Sequence, residues 1–381
     1  MSLEARLGSF DSNRLKLKSY MEARGLEVLV LLGKGNIVYA TGLREPSGAL
    51  ILSRECGDVM LVPLLDYHRA SASSPRDVEV KAFYRAGEEA IKGDVPGRDL
   101  IVGGLQDAVV KIVEECRRGS HTVGVDLNWA PSSIIRALEV KIQLVDSSGD
   151  VAKIRSAKSD WEVEAIEASL RIAEDTMRRV LGEAREGVTE LELSGHASLN
   201  MRRLGAWGEA FPTITAFYEN TAYPHHTPTQ MKLTLPGPLL VDLGAVLAGY
   251  HSDLTRTLWW GAGGAEFRKK IEMVVEAQES AIDTIAPGVE AWEPDRSARL
   301  VLEKGGMSSY FTHGLGHGVG VEIHEEPYLR PASKTVLEKG MVVTVEPGIY
   351  IPGLHGIRVE DLVLVTARGR RVLTRISKIL G

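Results

Sequence analysis

Carboxylates and imidazoles stand in unusual settings over the last third of this 381-residue chain. Asp242 interrupts an apolar run, Leu239-Leu240-Val241-Asp242-Leu243-Gly244, and Asp253 lies in Ser252-Asp253-Leu254-Thr255-Arg256-Thr257, just before Leu258-Trp259-Trp260. A hairpin turn near Ala248-Gly249 would set Asp242 and Asp253 opposite each other on antiparallel strands. Facing Cβ atoms are then only ~5 Å apart, and two anions that close on a half-buried sheet repel unless a proton or a cation lies between them. The arrangement repeats downstream. Glu346 ends the run Met341-Val342-Val343-Thr344-Val345, and Glu360 sits in Gly356-Ile357-Arg358-Val359-Glu360-Asp361. A turn about Pro352-Gly353-Leu354 would place these two glutamates on one face. Like-charged pairing twice over asks for a common explanation.

Seven of the ten histidines fall between residues 225 and 355. His313 and His317 have the spacing of a zinc-binding helix, but Gly314, Gly316, Gly318 and Gly320 are interleaved with them and make a helix improbable. A dinucleotide loop should follow a strand, open a helix and need no imidazoles. An extended, glycine-lined strand carrying His313, His317 and then His324 to a cleft is the better reading. Asp242, Asp253, His317, Glu346 and Glu360 together make a dinuclear metal site. Four carboxylates and two divalent cations leave the cluster near neutral. Oxygen-rich ligands with one imidazole favour Mn²⁺ or Co²⁺, with Zn²⁺ as an alternative. Two metals about 3.5–4 Å apart can share a water and lower its pKa.

These residues need a scaffold, and two different ones are expected. Leu26–Leu32, Ala49–Leu52, Val59–Leu65, Val123–Val125 and Ile142–Val145 read as strands, and Leu105–Cys116 and Ser132–Val140 as helices. This alternation predicts an α/β domain with a mixed or mostly parallel sheet over residues 1–150. A turn-rich gap, Ser147-Ser148-Gly149-Asp150, marks the boundary. Beyond it the capping pattern Ser159-x-x-Glu162 precedes Val163, Ile166, Leu170, Ala173, Met177 and Val180, one helical face. Thr189-x-x-Glu192 opens a second helix ending before Gly205. A third runs from Glu266 to Ile285, with Phe267, Ile271, Val274, Ala281 and Ile285 inward and Pro287-Gly288 stopping it. Residues 151–381 are thus expected to be an α+β catalytic domain.

Composition excludes several classes. There are 51 acidic and 45 basic side chains, giving a net charge of −6, and no concentrated basic face for nucleic acid. No run approaches the ~20 apolar residues of a membrane span, and the start lacks a secretory pattern. Two cysteines, Cys56 and Cys116, are too few for a disulfide framework, so a reduced, cytoplasmic protein is expected, with Cys116 in the core. His68, His121, His196 and His251 are isolated and read as structural or exposed. His355, in a turn, is a weaker candidate for contact with a ligand.

The segments VDLGAVLAGYHSDLTRT (241–257), HGLGHGVGVEIHEEP (313–327), TVEPGIY (344–350) and GIRVED (356–361) resemble the pita-bread metallopeptidase family, which includes methionine aminopeptidase, aminopeptidase P and Xaa-Pro dipeptidase. The N-terminal residues with GNIVYATGL (35–43) resemble the creatinase-like accessory domain of its proline-specific branch. The resemblance implies hydrolysis of Xaa-Pro bonds in short peptides by two divalent metal ions, with Xaa-Pro dipeptides first and aminopeptidase P activity on longer peptides as the nearest rival. A creatinase-like hydrolase without metal and a non-enzymatic binding protein on the same fold are further rivals. It implies a homodimer. It also implies Asp242, Asp253, His317, Glu346 and Glu360 as metal ligands and Glu346 as general base. His225, His313 and His324 would contact the substrate and its transition state, with His225 and His324 as the catalytic pair. Phe211, Tyr350 and Arg358 would line the substrate site. The chain departs from the family where Phe217-Tyr218 replaces the usual Ser-Gly, which is expected to narrow the pocket for the first substrate residue.

Overall fold

The computed structural model describes residues 10–87, 93–119, 121–234 and 236–380, in two compact units that divide between Arg155 and Ser156. The expected boundary gap is not a linker: Ser148–Ser156 is a helix.

The first unit is built on a seven-stranded mixed sheet. Its spatial order is Leu100–Val102, Val78–Tyr84, Asp58–Pro63, Ala49–Ser53, Val28–Leu31, Thr122–Val125 and Gln143–Asp146. The central strands are apolar on both faces, since Val28–Leu31 and Ala49–Ser53 are wholly buried. That is why they read as continuous rather than alternating runs. Helix Leu105–Cys116 supplies Ala108, Val109, Ile112 and Val113 to the core. The GNIVYATGL segment forms helix Lys34–Thr41, tied down because Asn36 Nδ2 donates to buried Asp126 (2.8 Å) and Asn36 Oδ1 accepts from Arg155 Nη1 (2.6 Å). One expectation is corrected here: Cys56 and Cys116, 60 residues apart with Cα atoms 5.5 Å from each other, are joined in a disulfide. Cys116 is nevertheless buried in the core, as its apolar neighbours suggested.

The second unit is the pita-bread catalytic fold, helices on antiparallel strands. Helix Asp160–Glu183 buries Val163, Ile166, Leu170, Ala173, Met177 and Val180. Thr189 caps helix Glu190–Arg203, accepting from Glu192 N (3.1 Å) while its own N–H donates to Glu192 Oε2 (2.8 Å). Helices Ala265–Thr284 and Trp292–Lys304 cover a core of Phe267, Ile271, Val274, Val343, Val345 and Ile357. Beneath them, one sheet runs in the order Glu325–Leu329, Gly316–Gly318, Val342–Val345, Asp361–Thr366 and Gly369–Val372. A second runs Leu254–Trp260, Gly237–Leu243, Ile214–Phe217. Strand ends from both sheets converge on one cavity. Among the described residues no helix is long and apolar enough to cross a membrane.

Candidate active site

Each acidic side chain reaches the cavity through its strand register. Strand Gly237–Leu243 pairs antiparallel with Leu254–Trp260, and Asp242 faces Thr255. The expected direct opposition of Asp242 and Asp253 is therefore not found. Ala248-Gly249 does turn, with positive φ at both residues, and the register it sets, Leu247 with Tyr250 and Val246 with His251, runs on to Asp242 with Thr255. Asp253 lies two residues before Thr255, and a period of two returns it to the face that Asp242 shares. For the glutamates, Val345 pairs with Asp361 and Gly348 with Arg358. Counting inward from both ends puts Glu346 and Glu360 at facing positions, where the hairpin passes from one sheet to the next.

His317 enters from the neighbouring strand. Only Gly316–Gly318 is extended; the rest of the glycine segment is bend and irregular loop. Its glycines make room for backbone. A Cβ on Gly316 would lie 2.1 Å from Thr344 O, and one on Gly318 2.3 Å from Glu326 O. The first draws the His317 strand against the one that leads to Glu346, and the second draws it against Glu325–Leu329 on its other side. His317 Nε2 lies 3.3 Å from Glu346 Oε1 and 3.6 Å from Asp253 Oδ2. One ligand atom each from Asp253, His317 and Glu360 fall within 4.8 Å of one another.

The electrostatics of this cluster are those of a cage built for cations. Burial, then repulsion from Glu360, Asp242 and Glu346, holds the Asp253 carboxyl far above the usual carboxylate range. Glu360 is raised for the same reasons, and burial pushes Glu346 up to about 7 against the pull of Arg358. Burial lowers His317 to about 3 and leaves its imidazole neutral, the form that ligates metal. Asp242 Oδ1 and Glu360 Oε1 are buried with no hydrogen-bond partner. Each such orphan costs roughly 1–3 kcal/mol. Divalent cations would satisfy both and relieve the repulsion, so the donor set fits them.

The cavity, about 530 Å³, is walled by Phe211, His225, His313, His317, His324 and Arg330 together with the four cage carboxylates. His324 packs edge-on against His317, with ring centroids 4.3 Å apart. Burial, then the neighbouring His225, pulls its pKa down. Burial and Arg358 bring His313 down to about 4. One expected substrate contact, Tyr350, differs from expectation. Tyr350 is not on the cavity wall; it is buried behind it, its hydroxyl 2.9 Å from His313 Nε2 and accepting from Arg358 Nη1 at 2.8 Å. Arg358 borders the cavity, as expected, with most of its donors already engaged. It donates Nη2 to Asp242 Oδ2 (2.6 Å), Nε to Thr255 Oγ1 (3.2 Å) and Nη1 to Pro224 O (3.4 Å).

Phe217 and Tyr218 do not narrow the pocket either. Phe217 is fully buried on its strand, pointing away from the cavity, and Tyr218 leaves it to bond Thr234. His355 lies outside the cavity, edge-on to Phe267 and 3.2 Å from Lys270 Nζ.

Residues 164–367 match metallopeptidase family M24, and residues 14–157 match the creatinase/prolidase N-terminal domain. The chain belongs to metallopeptidase family M24. An Xaa-Pro dipeptidase of Pyrococcus horikoshii is 31% identical to it over 366 residues, 95% of this chain and 97% of that protein. The solved structure of an Xaa-Pro dipeptidase from Bacillus anthracis has a TM-score of 0.84 at 30% identity, covering 98% of this chain and all of that one, 100%. An X-Pro aminopeptidase from Thermotoga maritima has a TM-score of 0.81 at 26% identity, covering 95% and 100%. M24 membership makes the chain a metallopeptidase and implies divalent metal ions.

Sequence reasoning missed several residues of this M24 site. His226 and Arg330 line the cavity. Asp295 and Arg299, on helix Trp292–Lys304, hold the segment before His317: Arg299 donates to Phe311 O (3.0 Å) and His313 O (2.5 Å), and Asp295 Oδ1 accepts from Leu315 N (3.0 Å). Buried Lys158 pairs with Glu325, next to His324, at 3.2 Å. The signal available was His225-His226 as a doublet; the others carry none until the fold brings them in.

Proposed function

We propose that this chain hydrolyses Xaa-Pro dipeptides, with Asp242, Asp253, His317, Glu346 and Glu360 holding two divalent cations, Mn²⁺ or Co²⁺ before Zn²⁺. The observation that carries this reading is the buried carboxylate cage with its partnerless oxygens on Asp242 and Glu360, open to a peptide-sized cavity. Cations bound there supply Lewis acidity, making water a nucleophile near neutral pH and polarising the scissile carbonyl.

The chain's own groups do the rest. Glu346, a carboxylate on the cavity wall 3.3 Å from His317 Nε2, can take a proton from the attacking water and deliver it to the leaving nitrogen. His225 and His324, side by side on the wall, are placed to donate N–H to the developing oxyanion. An Xaa-Pro bond has no N–H to recognise, and a site working through the carbonyl does not depend on one.

Arg358 is engaged with Asp242 and Tyr350, so the substrate's terminal carboxylate falls to the other arginine on the wall, Arg330. Its guanidinium lies 5.2 Å over the Tyr328 ring. A carboxylate-binding arginine favours dipeptides over longer peptides. Homodimerisation, from the family resemblance, and a cytoplasmic location, from the composition, complete the reading; an elution mass near one chain would refute the first.

The test compares hydrolysis of an Xaa-Pro dipeptide with that of an Xaa-Pro tripeptide across a panel of added metals, alongside elemental analysis of the protein. The dipeptide should be preferred, and Arg330→Gln should raise its KM by about ten-fold or more, one charge-assisted contact. Clear preference for the tripeptide refutes the dipeptidase assignment, and no hydrolysis of either with every metal refutes the peptidase.

A further inference from the structure

Glu190 is the first residue of helix Glu190–Arg203, a position where an acid ordinarily sits in solvent and gains about 0.3–1 kcal/mol from the helix dipole. Here it is completely buried. Its Oε1 accepts from Phe217 N (2.8 Å) and Asn220 Nδ2 (2.9 Å). Its Oε2 accepts from His226 Nε2 (2.9 Å), Thr229 N (2.9 Å) and Thr229 Oγ1 (2.6 Å). All five donors belong to one stretch, residues 217–229, and none of them is a helix N–H that needs a cap. A buried carboxylate is expensive unless its lone pairs are met. This one is met entirely by a loop.

That loop is a cavity wall. Pro224, His225, His226 and Thr227 all line the site, and His225 is itself exposed to it. An exposed side chain owes its place to the backbone on either side. On one side of His225, Pro224 O accepts from Arg358 Nη1. Three residues further back, Thr221 Oγ1 accepts from Gly356 N at 2.8 Å. On the other side the His226 ring is held by Glu190. The hairpin that carries Arg358 thus anchors the loop before His225, and the helix carrying Glu190 anchors it after.

We propose that the Glu190–His226 pair is a positioning device: it fixes the 217–229 loop so that His225 stands at the reacting centre. Glu190 touches neither substrate nor metal in this role. The inference rests on the peptidase reading for its kinetic consequences but not for its structural ones. Misplacing a group by about 1 Å costs on the order of a hundred-fold in rate, and that sets the expected effect.

The experiment uses the full chain with Glu190→Gln, His226→Phe and His226→Gln. Glutamine at 190 keeps the volume but turns an N–H₂ toward donors. Phenylalanine at 226 removes the bond to Glu190, whereas glutamine at 226 can still donate to it. The readouts are kcat and KM on an Xaa-Pro dipeptide and amide hydrogen exchange along the chain. Glu190→Gln and His226→Phe should lower kcat by about 10- to 100-fold with little change in KM, and should speed exchange over 217–229 but not over the cage strands. His226→Gln should recover most of that kcat. A purely structural role would instead lower stability and leave kcat of the folded protein intact, overturning the inference. So would a His226→Gln variant as impaired as His226→Phe, which would mean the imidazole itself reacts. If Glu190→Gln does not fold, the two His226 variants decide. If the wild-type chain hydrolyses no Xaa-Pro dipeptide, the peptidase reading fails, and unchanged exchange over 217–229 in His226→Phe would still overturn this inference separately.

Discussion

Replacing the proposed general base should make the metal-free protein more stable at alkaline pH. Burial raises Glu346 from 4.5 to about 7 in the folded chain. The folded state therefore holds this proton more tightly than the unfolded state does. Below pH 4.5 both states are protonated and nothing is lost; between 4.5 and 7 the unfolded chain ionises first and stability falls; above 7 the loss is complete. At about 1.36 kcal/mol per pH unit, the rise from 4.5 to about 7 makes the full loss about 3 kcal/mol. Glu346→Gln removes it. Asp253 and Glu360, also raised, act in the same sense, while His313 and His317, lowered to about 4 and about 3, act in the opposite one, contributing more as pH rises toward 6.5. The slope of the wild type alone mixes these effects, so the informative quantity is the variant-minus-wild-type difference. Urea unfolding of chelated protein, followed from pH 4.5 to 8, should show the two nearly equal at the acid end. The variant should lead by about 3 kcal/mol at pH 8. Saturating divalent metal should cancel or reverse that lead, because the wild type gains a ligand that the variant lacks. A difference flat across the range, or one that metal leaves untouched, would refute the account of the cage.

Three further outcomes are expected. Gly316→Ala sets a Cβ 2.1 Å from Thr344 O, so the strands must part; denaturation should show a loss of roughly 1–3 kcal/mol, with reduced metal content by elemental analysis. Phe217→Ala should cost about 3–5 kcal/mol in the same assay yet leave KM for an Xaa-Pro dipeptide unchanged, since the ring is buried on its strand and away from the cavity. Reducing Cys56–Cys116 opens a loop of 60 residues and should lower the stability of the first unit by about 4 kcal/mol on loop entropy, read by denaturation with and without reductant and by thiol titration.

Much of the cage was legible before the fold was known, because repulsion leaves a mark in the sequence. A carboxylate inside an apolar strand, as at Asp242, violates the ordinary pattern and so asks for a cation or a proton beside it. Helix Asp160–Glu183 was equally legible, since a 3.6 period writes its buried face directly. Register was not. Asp242 faces Thr255 rather than Asp253 because the register set at the Ala248-Gly249 turn, Leu247 with Tyr250 and Val246 with His251, carries through to the main strands, and local residue preference does not fix that count. The same holds for Phe217: its strand assignment says that it points to one face or the other, and only the packed sheet says which.

The sequence by itself determined the acidic and imidazole residues of the cage and their order along the chain, the helical faces, and the two-part organisation, since these rest on local periodicity and on the cost of burying charge. Tertiary structure alone decided which groups remain free to act. Arg330 and Arg358 are the same residue type on the same cavity wall, yet Arg358 is held by Asp242, Tyr350 and Thr255. Glu190 reads as an ordinary helix-start acid until residues 217–229 fold over it. The function of a charged side chain depends on the partners it already has, and most of those partners, Asp242 and Thr255 for Arg358 and residues 217–229 for Glu190, come from more than 25 residues away, beyond the reach of any local pattern.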